Sequence, residues 1–80
     1  MISNAVSNKH IRAARALLGW TRETLRDESG VSVQTIKRIE TDGPEKCKYK
    51  TVQDVIAAFV KAGITFTPGG PQLFDSEEGR

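Results

Sequence analysis

Eighty residues, 38% hydrophobic and 28% charged, suffice for one domain with a modest core, near the lower limit for a chain without disulfide or metal staples. The formal charge is only +2, but residues 75–80 hold three acids and one base, which leaves residues 1–74 at +4; such a mildly basic body suits a nucleic-acid partner without requiring one. The single cysteine, Cys47, excludes a disulfide framework and a paired-cysteine metal site within one chain. No apolar run approaches the roughly 18 residues of a membrane span, and residues 1–7 lack the charged start and apolar stretch of a secretion signal, so a cytoplasmic location is expected.

The first helix is expected to start at Ser7 or Asn8 and to run to about Leu18, because Ile11, Ala14, Leu17 and Leu18 recur at helical spacing and Gly19 ends the run. Lys9, Arg12 and Arg15 fall on its wetter side and read as surface residues, while Trp20 reads as an anchor between the first and second helices. Thr21 is an N-cap for a short second helix over 22–29, which Gly30 stops. Ser32 caps a third helix over 33–40. Thr41-Asp42-Gly43-Pro44 then reads as a turn that opens a loop, 45–50, bearing Lys46, Lys48 and Lys50.

Thr51-Val52-Gln53-Asp54 has the form of a capping box, and from it Val52, Val55, Ile56, Phe59 and Val60 make an apolar stripe of helical period that ends by Gly63. Ile64-Thr65-Phe66-Thr67 alternates and is rich in β-branched and aromatic residues, as one short strand would be. Phe59, Ile64 and Phe66 read either as core or as part of a dimer contact. The expected organisation is a flexible start over 1–7, a domain over 8–67 and a flexible acidic tail over 68–80, with at most a contact around Leu73 and Phe74. No catalytic constellation is recognisable, and His10 has no Cys or His at ligand spacing. The chain therefore reads as a non-enzyme with no metal and no cofactor.

Residues 21–40 carry the chemistry. On a helix over 33–40, Ser32, Ile36, Ile39 and Glu40 fall on one side, while Gln34, Lys37 and Arg38 fall on the other. Gln offers a two-point contact to adenine, and Arg or Lys one to guanine O6 and N7. Val33, at the entering end, suits a thymine methyl.

The run Leu18-Gly19-Trp20-Thr21-Arg22-Glu23-Thr24-Leu25, followed by Ser29-Gly30-Val31-Ser32-Val33-Gln34-Thr35-Ile36-Lys37-Arg38-Ile39-Glu40, resembles the Cro/repressor-type (Xre-like) helix-turn-helix family of transcriptional regulators. The resemblance implies an all-α, lambda-repressor-like bundle of four to five short helices, with one short C-terminal strand admissible. By its pattern Val33, Gln34, Lys37 and Arg38 face bases. Arg22, Ser32, Thr35, Lys46, Lys48, Tyr49 and Lys50 match positions that touch phosphates or cap the helix. Leu25, Val31, Ile36 and Ile39 match core positions. Arg26, where the family usually has alanine, is expected to lay its stem along the helix interface or to hold the helices slightly apart.

The function implied is a sequence-specific binder of double-stranded DNA that occupies an operator as a homodimer, with no membrane partner. Two alternatives stay open at this point. One is an antitoxin or accessory regulator whose C-terminal segment binds a protein. The other is a protein-interaction module that keeps the fold without binding DNA.

Overall fold

The computed structural model describes residues 6–67 and 70–73. Helix α1 spans Asn8–Leu18 and opens with the backbone N–H of Ser7 donating to His10 Nδ1 at 2.9 Å, so the histidine fills the place that Glu or Gln takes in a capping box. That bond gives His10 a local structural role. Helix α2 spans Arg22–Ser29, and Thr21 accepts from the Thr24 amide at 3.1 Å. Gly30 ends it at φ +77°, a conformation that would strain any residue with a Cβ. Its amide closes on the Arg26 carbonyl at 2.8 Å.

Helix α3 spans Val33–Asp42, two residues beyond the end expected from sequence. The stop is Gly43, whose amide still bonds the Ile39 carbonyl at 3.1 Å, and not the Thr41-Asp42 pair. Gly43 sits at φ +105°, a backbone angle that favours glycine; the nearest obstacle to a Cβ there, the Glu45 carboxylate at 2.7 Å, is the movable end of an exposed side chain. A single 3₁₀ turn, Pro44–Lys46, follows where a loop was expected.

Helix α4 spans Tyr49–Lys61, with Lys48 at its N-cap. The expected capping box at Thr51 does not form: Thr51 lies inside the helix, and Asp54 instead accepts from Lys50 one turn earlier, at 3.2 Å. Strand β1, Ile64–Thr67, forms as expected. It pairs antiparallel with β2, Gly70–Leu73, in the register Ile64 to Leu73 and Thr67 to Gly70. The expected tail from residue 68 is thus replaced at 70–73 by a strand, which packs on α1. Phe74 and residues 75–80 lie outside the described part of the chain.

The core gathers one face of each element. Ile11 and Ala14 of α1, Leu25 of α2, Ile36 and Ile39 of α3, and Val55 and Phe59 of α4 are all fully buried, and Val31 and Ile64 nearly so. Phe59 is central: Trp20 stacks on it at 5.8 Å between ring centroids, and Phe66 meets it edge-on at 6.1 Å. Trp20 therefore anchors the α1–α2 connection to α4, beyond the two helices that its sequence position suggested. Each such aromatic pair contributes about 0.5–1.5 kcal/mol beyond the area it buries.

Candidate nucleic-acid interface

Helices α2 and α3 are locked together from within. Glu40, 1% exposed, lies on the inner face of α3 beside Ile36 and Ile39. A carboxylate removed from water needs partners, and two arginines supply them. Arg15 of α1 donates through Nε to Oε2 at 2.7 Å and through Nη2 to Oε1 at 3.3 Å, while Nη1 holds the Trp20 carbonyl at 3.0 Å. Arg22, the first residue of α2, donates through Nε to Oε1 at 3.0 Å. A third, Arg12, reaches the main-chain carbonyl of Glu40. One side chain of α3 thereby ties the last turn of α1 and the first turn of α2 to it.

With its inner face fixed, α3 turns the opposite face to solvent. Gln34, Lys37 and Arg38 are exposed and, with Thr35, Thr41 and Asp42, line a shallow depression along the helix. Sequence reasoning missed Thr41 and Asp42 because Gly43-Pro44 drew the expected turn two residues too early. Val33 is half-buried at the entering end, as is Thr35. Ser32 Oγ accepts from the Thr35 amide at 3.2 Å and donates to Thr35 Oγ1 at 3.0 Å. Both hydroxyls therefore complete the cap at the tip of α3.

The other phosphate candidates are spread over more ground. Lys46 and Lys48 are exposed at the end of the 3₁₀ turn and the start of α4. Lys50 is exposed beside Asp54. Tyr49 is 73% exposed but lines a different depression, with Val6, Val52, Gln53 and Ile56, away from the outer face of α3. Arg22 lies at the expected end of α2, with part of its guanidinium committed to Glu40. Arg15, read from sequence as a surface residue, is instead a partner of that buried carboxylate, and the signal that could have found it was the inward placing of Glu40.

Arg26, the departure from the family pattern, and the turn after α2 are each satisfied by near neighbours. Arg26 is exposed and pairs with Asp27 at 3.1 Å, so its charge turns outward. Ser29 Oγ accepts from the Val31 amide at 3.1 Å and so satisfies a donor in the turn. Among the described residues no group of three or more His, Cys, Asp or Glu side chains could hold a metal ion, and no helix is long and apolar enough to cross a membrane.

The family model described as Helix-turn-helix matches residues 11–47, from the middle of α1 through the 3₁₀ turn. No curated protein and no solved structure matches the chain. The matched segment contains the capped pair α2 and α3, the glycine turn between them and the buried face that holds them at a fixed angle. That match supports the resemblance of residues 18–40 to the Cro/Xre-type helix-turn-helix regulators, a family of DNA-binding proteins.

Proposed function

We propose that the protein occupies an operator in double-stranded DNA as a homodimer, each copy laying α3 in the major groove. The observation that carries this reading is the division of α3: Ile36, Ile39 and Glu40 are buried, while Gln34, Lys37 and Arg38 stand free on the far side. A rigidly held helix with a base-reading outer face is what direct readout of the groove requires. Arg22, Ser32, Thr35 and the lysines at 46, 48 and 50 then set register on the phosphates, and Tyr49 borders that set.

One such helix covers only a few base pairs, and a two-fold pair about 34–36 Å apart would double the reading. The face that suits a second copy lies along α4 and β1. There Val60 is 55% and Tyr49 73% exposed, beside the half-buried Ile56 and Phe66.

Selection of random duplex DNA against the purified protein, with affinity then measured across a salt series, tests the proposal. A two-fold motif should be enriched, with affinity falling steeply as salt rises. In that motif Lys37→Ala or Arg38→Ala should relax preference at one base pair, whereas Lys48→Ala should weaken all sequences alike. Indifference of Arg38→Ala to base identity would remove its assigned role. Capture of a stoichiometric protein without any duplex enrichment would favour an accessory or interaction module.

A further inference from the structure

The arginines that meet Glu40 outnumber it three to one, and they are not used equally. All three nitrogens of the Arg15 guanidinium have acceptors. Arg22 commits only Nε, to the carboxylate, and Arg12 commits only Nη1, to the main-chain carbonyl. Among the described residues, the remaining nitrogens of Arg12 and Arg22 meet no acceptor. Arg22 is 37% exposed and Arg12 is open to solvent.

Two guanidinium groups on the Glu40 carboxylate and a third on its main-chain carbonyl leave an excess of two positive charges where three helices meet. Arg22 also stands at the first position of α2, where the helix dipole already presents its positive end, so a cation is locally unfavourable there. The arrangement therefore lacks an anion. It is also built to receive one: each of the two outer guanidiniums is anchored by one N–H to the same residue, with the rest of its planar fork turned free. That fork matches two phosphate oxygens.

We propose that Arg12 and Arg22 together bind a backbone phosphate of the DNA, and that Glu40 is a positioning residue for the pair. This deepens the operator-binding reading and rests on it. On docking, a phosphate supplies the second negative charge of the cluster and takes up the idle N–H groups. Arg15 stays out of the contact because it is the least exposed of the three and is already held at each of its nitrogens. The helix junction thus serves as structural lock and phosphate seat at once.

The test uses the whole chain and the selected duplex, with mixed-sequence duplex beside it. Arg12→Gln and Arg22→Gln should each lower the slope of log affinity against log salt by about one and weaken both DNAs by the same factor. In the unaltered protein, the side-chain Nε–Hε resonances of Arg12 and Arg22 should shift on adding duplex, and that of Arg15 should hold. Glu40→Gln removes a negative charge, so charge alone predicts tighter binding; a positioning role predicts weaker binding, by roughly tenfold, with the salt slope lowered. Tighter binding of that variant would overturn the positioning role. Should it fail to fold, Arg12→Gln, at an exposed position, still decides the seat. Unaltered slopes in both arginine variants would overturn the seat and leave operator binding intact. Absence of salt-dependent duplex binding in the unaltered protein would overturn both.

Discussion

At the scale of single residues, Glu40 sets the terms for its neighbours. A buried carboxylate stabilises only while its partners remain, and stripping one away costs about 3–5 kcal/mol where the charge is left uncompensated. Arg15 is the deeper and more fully bonded partner, at 21% exposure against 37% for Arg22. Arg15→Met should therefore cost about 3 kcal/mol and lower Tm by roughly 10–20 °C, whereas Arg22→Met, with Arg15 still in place, should cost about 1 kcal/mol. Thermal unfolding followed by circular dichroism would check the ranking, and equal effects would show that the carboxylate does not depend on Arg15. The exposed Lys50–Asp54 pair is of another kind and contributes a few tenths of a kcal/mol at most. The inward turn of Glu40 was legible from its spacing with Ile36 and Ile39. Its partners were not, because an arginine on a wet helix face looks the same whether it meets water or a carboxylate from 25 residues away.

Among the elements, those with unambiguous ends were legible and the others were not. α1 and α2 lie where hydroxyl caps and glycine stops place them, since both signals act within a few residues. The start of α4 shows local chemistry overruled. Thr51-x-x-Asp54 satisfies the capping pattern, yet the 3₁₀ turn over Pro44–Lys46 delivers the chain early enough for helix to begin at Tyr49. Val52 and Val55 then pack as before. Thr51→Ala should consequently be neutral or slightly stabilising, because alanine is the better residue inside a helix. Ser32→Ala should cost about 1 kcal/mol, because that hydroxyl does cap. Chemical denaturation of the two variants separates the cases, and a loss at Thr51 equal to that at Ser32 would restore the capping box. β2 was hidden for a different reason. Gly70-Pro71-Gln72-Leu73 has little strand preference of its own, so its pairing rests on β1 and on the surface of α1 beneath it, contacts that no window of sequence displays.

For the whole molecule, the proposed operator binding asks that a domain of this size present two reading heads. The apolar residues left along α4 and β1 offer a surface, and a charge placed there should act on assembly without touching the core. Val60→Asp, at a position 55% exposed, should leave the melting of a single copy nearly unchanged. It should shift sedimentation toward the monomer and weaken binding to a two-fold site far more than to a half-site. Unchanged sedimentation would direct the dimer contact elsewhere. Phe59→Ala tests the opposite kind of site. Its ring is fully buried between Trp20 and Phe66, so the loss should be about 3–5 kcal/mol, a large share of the stability of a small domain.

The stack of Trp20 on Phe59 also makes the protein its own optical instrument. The chain has one tryptophan, and that residue touches two parts of the machinery at once. Its ring lies on α4, and its carbonyl holds Nη1 of the arginine that secures Glu40. Any event that parts α4 from the bundle, or loosens the junction beneath α2, must pass through the surroundings of this indole. Its fluorescence therefore follows, without a label and from a single position, both the integrity of the core and the condition of the clasp that aims α3.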